Sequence, residues 1–168
     1  MLHPFLELPY KSTLAEELAN IAPSLPPQAW GDYYNFEASP IPQEVALLDP
    51  VLANLANHYD FQAGVLRLPP STCYNWHTDT KRKVSINMLL SGFNSHCLFA
   101  KNKDDTVMQT AELKYKPSTY YVFDTQTPHT VINFNEPRYL FSVEFVGKDA
   151  GLTFGALCAE FEGRDNGG

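Results

Sequence analysis

From residue 61 to residue 146 the chain breaks into short runs of β-forming residues, and this punctuation most limits the folds open to it. The runs are 63–68, 72–76, 84–90, 96–101, 106–113, 119–123, 130–134 and 138–146. Pro69-Pro70, Ser91-Gly92, Lys116-Pro117 and Asn135-Glu136-Pro137 separate them, residues that turn a chain and interrupt a ladder. So many short strands packed so closely predict a mainly β fold with N-terminal helices. The architecture expected is a double-stranded β-helix, the jelly roll also used by cupins.

Residues 1–60 read as a helical lead-in packed on the sheet. Thr13-Leu14-Ala15-Glu16 has capping-box spacing, with Thr13 as N-cap, and Leu14, Leu18 and Ile21 follow at helical intervals. Pro23 and Pro26-Pro27 stop that helix. The aromatic stretch 30–36 suits a strand or an irregular cover. A second helix opens near Pro42, and Asp49-Pro50 starts a fresh turn with Asp49 as N-cap. Val51, Leu52, Leu55 and Tyr59 form its buried stripe. Residues 149–168 form an extension with one apolar run, 152–158, and a frayed end from Gly163. The whole chain, 1–168, is expected to be one domain with its β core at 61–148.

The 168 residues are 44% hydrophobic and only 18% charged, enough apolar material for a core and too little charge for a disordered chain. A net charge of −7 argues against nucleic acid, whose phosphates need a basic surface. The one dense basic run, Lys81-Arg82-Lys83, reads as a solvated turn. Cys73, Cys97 and Cys158 form no Cys-x-x-Cys pair, which favours a reducing, cytoplasmic setting. No signal peptide or membrane span is expected. Oligomeric state is not readable.

The chemistry gathers around Tyr74-Asn75-Trp76-His77-Thr78-Asp79. In an extended strand, residues i and i+2 share a face, so His77 and Asp79 project together. His129 opens a later run on a neighbouring strand of the jelly roll. Two imidazoles and a carboxylate on one face of an iron ion leave positions open for substrate and oxygen. Arg138 opens the last run, and the turn before it is expected to bring that strand back beside His129. A guanidinium there can grip a distal carboxylate through paired hydrogen bonds.

The segment from about residue 61 to 147 resembles the 2-oxoglutarate- and Fe(II)-dependent oxygenases, most closely the prolyl-hydroxylase and aspartyl/asparaginyl-hydroxylase-like branches. The features that carry it are Tyr74-Asn-Trp-His77-Thr-Asp79, Val84-Ser-Ile-Asn-Met-Leu-Leu90, Tyr121-Val-Phe-Asp124, Pro128-His129 and Pro137-Arg138. The resemblance implies Fe(II) held by His77, Asp79 and His129, and 2-oxoglutarate gripped by Arg138. The implied reaction hydroxylates a C–H bond and releases succinate and carbon dioxide. A free amino acid, a peptide side chain or a small metabolite all fit as substrate. Some relatives place a serine two residues after the arginine; here that position is Leu140. Tyr74, then Asn87, are the candidates for the second carboxylate contact, and Arg67 the candidate reader of an acidic substrate group.

Plainer readings stand beside these. His-x-Asp alone occurs often as a polar pair at a strand end. His96 opens a strand at the surface, and His58 ends a helix. Trp76 faces away from His77 into the core, and Asp124 caps a loop or orients His129. Tyr120, Tyr121 and Phe123 read as sheet core. A cupin-like isomerase or hydrolase would use the same fold, but the His-x-His pair usual in cupins is absent. A non-enzymatic jelly-roll binding module is the third reading.

Overall fold

A computed structural model describes residues 1–34 and 36–165. In chain order the elements are β1 (Phe5–Lys11), α1 (Ala15–Ile21), β2 (Gly31–Tyr33), β3 (Phe36–Ile41), α2 (Gln43–Ala46), α3 (Pro50–Ala56), β4 (Phe61–Leu68) and β5 (Thr72–His77). They continue as β6 (Ser85–Ser91), β7 (His96–Asn102), β8 (Met108–Leu113), β9 (Thr119–Phe123), β10 (His129–Asn133), β11 (Arg138–Phe145) and α4 (Phe154–Asp165). The strands form two antiparallel sheets. The larger has the order β1-β9-β6-β11-β4-β3-β2 and the smaller β5-β10-β7-β8. This is the expected jelly roll, and every β run read from the sequence is a strand within two residues of its predicted start.

The lead-in is only partly helical, which corrects the reading of residues 1–60. Three of its segments are strands. β1 pairs with β9, β3 with β4, and β2 with β3, so the lead-in extends the larger sheet at both edges. Leu6 and Leu8 share one face with Glu7 between them, a period-2 pattern too short to stand out before the helix. Helix α1 starts without the Thr13 capping box. Ser12 Oγ accepts from Leu14 N at 3.0 Å, and Thr13 N donates to Asp49 instead. Leu14 and Leu18 are buried as expected, whereas Ile21 is exposed at the helix end. Asp49 does cap α3, its Oδ1 accepting from Val51 N at 2.9 Å. The 152–158 run enters helix α4, which continues through Gly163; residues 166–168 lie outside the described part.

Alternation along the strands builds two cores. On β11, Tyr139, Phe141, Val143 and Phe145 face outward onto the helices. They pack with Ile86, Met88, Tyr120, Val122, Leu52, Leu55, Leu157 and Phe161. The opposite phase, Arg138, Leu140 and Ser142, faces inward between the sheets. There Leu68, Phe99, Leu113, Tyr121, Phe123 and Val131 form a smaller core. Both faces of β6, β9 and β11 are covered, which explains their nearly continuous apolar composition. Among the described residues no helix is long and apolar enough to cross a membrane.

Candidate metal centre

Strands β5 and β10 pair antiparallel with His77 directly opposite His129, and their rings lie 4.2 Å apart between centroids. The register slips between this pair and Val131–Tyr74, a local irregularity of the kind that re-aims side chains next to functional sites. Asp79 joins them by a different route from the one predicted. β5 ends at His77, so strand periodicity does not place Asp79. The loop after β5 is laced instead to the loop before β10. Asp79 N donates to Thr125 O at 3.0 Å, and Gln126 Nε2 donates to Asp79 O at 3.0 Å and to Arg82 O at 2.8 Å. Asp124 secures the second loop by accepting from Gln126 N and Thr127 Oγ1. It therefore caps the loop rather than touching His129.

The result is a set of converging donors. Asp79 Oδ1 lies 3.5 Å from His77 Nε2 and 3.8 Å from His129 Nε2, and one ligand atom from each residue falls within 4.8 Å of the others. Metal–nitrogen bonds of about 2.1 Å put neighbouring donors roughly 3–4 Å apart, so the spacing suits one ion. The tautomers suit it as well. His77 Nδ1 meets Asn75 O at 2.7 Å and His129 Nδ1 meets Thr127 O at 2.9 Å. A carbonyl only accepts, so each Nδ1 carries a proton and Nε2 is the atom left to ligate an ion. Burial is the main reason that His129 is pulled down to about 4, which keeps it neutral. Burial pushes Asp79 upward, but the side chains against it, His77 and the Arg82 guanidinium first among them, outweigh it. Its carboxyl sits below the ordinary range. Two imidazoles with their Nε2 atoms turned toward one carboxylate fit a 2-His-1-carboxylate iron site.

Arg82 is the residue that the sequence reading missed. It is no solvated turn: Nε and Nη2 donate to Asp79 Oδ2 at 2.8 and 2.7 Å, and Nη1 donates to Ser142 Oγ at 3.1 Å. Holding Oδ2 leaves Oδ1 for the metal. The available signal was its place in the run, three residues after Asp79 and two before an apolar strand. From Arg82 a polar chain crosses the cavity floor. Ser142 Oγ donates to Asn87 Oδ1 at 2.7 Å, the two residues being paired in register on β11 and β6.

Arg138 is buried, 2% exposed, and lines the same cavity as His77 and His129. It reaches the cavity from the opposite side to that expected. The turn before β11 carries the chain across to the larger sheet, between β4 and β6, and not back beside His129. The buried Asn133 holds that crossing, donating through Nδ2 to Leu68 O, Pro69 O and Glu136 O. Ser95 Oγ accepts from Arg138 Nε at 3.0 Å and donates to Gly92 O at 2.7 Å. Gly92 has φ +85°, and a Cβ there would stand 2.8 Å from Arg138 Cα. Gly92→Ala is therefore expected to cost about 1–3 kcal/mol of stability and to displace the guanidinium. A melting curve and a ligand titration check both.

The remaining predicted residues divide. Asn87 lines the cavity with its carbonyl oxygen engaged by Ser142. Tyr74 also lines it, stacked on Phe36 at 4.1 Å and edge-on to His77 at 4.2 Å, but its hydroxyl donates to Tyr34 O. That places it at the mouth. Arg67 is not at the site. On β4 it alternates with the inward Leu66 and Leu68, so it faces outward, 2.8 Å from Glu37 and over the Trp30 ring at 4.2 Å. Trp76 does face away from His77, but β5 is an edge strand and the ring is exposed rather than in the core. His96 is at the surface, paired with Glu112 at 2.6 Å.

No family model and no curated protein matches the sequence. Solved structures do match the fold. A Pseudomonas putida prolyl-4-hydroxylase has a TM-score of 0.61 at 17% identity, covering 85% of this chain and 92% of that one. A Trichoplax adhaerens prolyl hydroxylase, solved with a hypoxia-inducible-factor peptide fragment, has 0.61 at 12%, covering 88% and 85%. A viral collagen prolyl hydroxylase from Paramecium Bursaria Chlorella virus-1, solved with 2-oxoglutarate, has 0.56 at 14%, covering 87% and 97%. The chain thus has the double-stranded β-helix fold of 2-oxoglutarate- and Fe(II)-dependent oxygenases, prolyl hydroxylases chief among these neighbours, with a His-x-Asp…His triad in its cavity.

Proposed function

We propose that this protein is an Fe(II)- and 2-oxoglutarate-dependent dioxygenase that hydroxylates a C–H bond of an amino acid, a peptide or a small metabolite. One observation carries the reading. The free donor atoms of His77, Asp79 and His129 converge in a cavity that Arg138 also lines. A buried guanidinium needs an anion, and among the described residues no carboxylate pairs with Arg138.

Each residue has a stated task. The two Nε2 atoms and Asp79 Oδ1 hold the iron, which supplies oxygen activation when bound. Arg82 fixes Asp79 so that one oxygen faces the ion. Arg138 sets the depth and orientation of the co-substrate by binding its far carboxylate. Phe99, Phe123 and Val131 form a dry wall behind the imidazoles.

The prime substrate approaches through the mouth formed by Tyr33, Tyr34, Phe36 and Tyr74. Beyond it, Ala38, Pro40, Gly64 and Leu66 floor an open groove with Asp32 and Glu144 on its rim. Among the described residues none from the smaller sheet lines that groove. The groove suits a free small molecule or an exposed peptide segment, in an enzyme that works in the cytoplasm. The decisive assay measures succinate formed from 2-oxoglutarate with Fe(II) and ascorbate across a panel of amino acids and peptides. Turnover is expected to need iron and to fall to background in His77→Ala and Arg138→Ala. Turnover that survives both changes would falsify the proposal. Metal binding without 2-oxoglutarate affinity would point to another metal reaction on the same jelly roll.

A further inference from the structure

We infer that Tyr115 supplies the second donor to the far carboxylate of the oxo-acid, alongside Arg138. The inference rests on the 2-oxoglutarate reading above and names a residue that the sequence pattern does not offer. Where a hydroxyl two residues after Arg138 would serve, the chain has Leu140, whose side chain is apolar.

Tyr115 lies on the connection between β8 and β9. Its ring packs edge-on to Tyr121, with centroids 5.2 Å apart and planes at 80°, and against the cluster of Leu66, Leu89 and Leu140. Lys116 N donates to Tyr121 Oη at 3.2 Å and fixes the next residue, so the connection is held on both sides of the ring. The residue is partly exposed, but its hydroxyl oxygen is sealed from solvent and has no hydrogen-bond partner. Among the described residues four buried side-chain polar atoms lack a partner: Trp30 Nε1, Ser85 Oγ, Asn133 Oδ1 and Tyr115 Oη. Of these residues, only Tyr115 lines the cavity of the triad.

Buried hydroxyls are nearly always paired, and an unpaired one costs free energy that something must offset. The neighbours of this one show what that is. The Arg138 guanidinium carbon lies 5.7 Å from the Tyr115 ring centroid. Burial raises the phenol, which stays protonated and so remains a donor; the Arg138 and Asn87 side chains lie near enough to pull the other way, yet neither makes a hydrogen bond of acceptable geometry with its oxygen. Cys97 also lines the cavity, but burial lifts its thiol to about 12, so it brings no negative charge. Arg138 Nε is already given to Ser95. Its Nη donors and the Tyr115 hydroxyl therefore stand beside each other without an acceptor. An acceptor with two oxygens and a negative charge satisfies both, and a carboxylate is the smallest such group.

Tyr115→Phe removes the one oxygen and keeps the ring. In metal-loaded protein under anaerobic conditions, calorimetric titration is expected to show 2-oxoglutarate binding weakened about tenfold to a hundredfold, the range of a charge-assisted hydrogen bond. Binding of 2-oxopentanoate, which lacks the far carboxylate, is expected to stay as weak as in the unaltered protein. The preference between the two acids then shrinks by the same factor. Metal affinity is expected to be unchanged, and the ligand-free melting temperature unchanged or higher, because the unpaired hydroxyl is gone. A purely structural role would lower the melting temperature and leave the preference intact. If the unaltered protein binds 2-oxoglutarate and Tyr115→Phe binds it equally well, Tyr115 is not the donor and the functional reading stands. If the unaltered protein shows no affinity for 2-oxoglutarate, the functional reading fails and takes this inference with it.

Discussion

Asp79→Ala is expected to weaken Fe(II) binding more than a hundredfold and to bring 2-oxoglutarate turnover to background. Loss of a residue that merely orients a ligand typically costs 10–100-fold in metal affinity, so loss of a ligand itself costs more. Two features of this site add to the effect. Asp79 is the only carboxylate of the triad, the other two members being imidazoles. Its removal also frees Arg82, whose Nε and Nη2 both rest on Asp79 Oδ2. A positive charge then stands beside the two imidazoles where a negative one had been, and it repels the ion. Competition titration against a calibrated chelator measures the affinity, and an anaerobic iron assay gives the stoichiometry. Asp79→Asn separates the two effects, since it keeps the shape and an acceptor for Arg82 but loses the charge. Iron bound as tightly by Asp79→Ala as by the unaltered protein would show that the triad is not the metal centre.

Asp49→Ala is expected to be the most damaging single change away from the cavity, lowering stability by about 3–5 kcal/mol, since several donors lose their one acceptor at about 1–3 kcal/mol for each that is left buried and a helix cap is lost with them. Asp49 is 0% exposed. Its Oδ2 accepts from Ser12 Oγ at 2.7 Å, from Thr13 N at 3.1 Å and from Tyr120 Oη at 2.8 Å, while Oδ1 accepts from Val51 N at 2.9 Å. One carboxylate thus ties the β1–α1 corner, the start of α3 and the buried face of β9. Alanine leaves a void and strands these donors away from water. At roughly 2–4 °C per kcal/mol for a chain of this size, the melting temperature is expected to fall by about 6–20 °C. Asp49→Asn keeps one carbonyl acceptor and is expected to lose about half as much. Thermal unfolding followed by circular dichroism checks both. A shift within ±1 °C for the alanine variant would show that the network contributes nothing.

The β core was legible because its signals are local. Turn residues such as Pro69-Pro70 and Asn135-Glu136-Pro137 end strands wherever they occur, and Asp49-Pro50 starts a helix by the chemistry of two adjacent residues. The lead-in was less legible because β1 and β3 are strands only through their partners. Phe5–Lys11 finds β9 and Phe36–Ile41 finds β4, pairings across more than a hundred and more than twenty positions that no local window contains. Trp76 shows the same limit: alternation gives its face, but whether that face is covered depends on β5 lying at a sheet edge. Arg67 was misplaced for a related reason. Its side is set by the phase of β4, where Leu66 and Leu68 point inward.

The sequence by itself determined the strands of the β core from residue 61 onward, the jelly-roll class and the three candidate metal donors, because residue type and local spacing carry that information. Only the tertiary structure decided what holds those donors and what surrounds them. Asp79 turns inward because one loop is laced to another, Arg82 leaves solvent to hold it, and Arg138 faces the imidazoles from the opposite sheet. Tyr115 likewise brings an unpaired hydroxyl from a distant connection. The physical reason is that a hydrogen bond or a cavity wall depends on where two chain segments meet in space, and separation along the chain does not set that meeting.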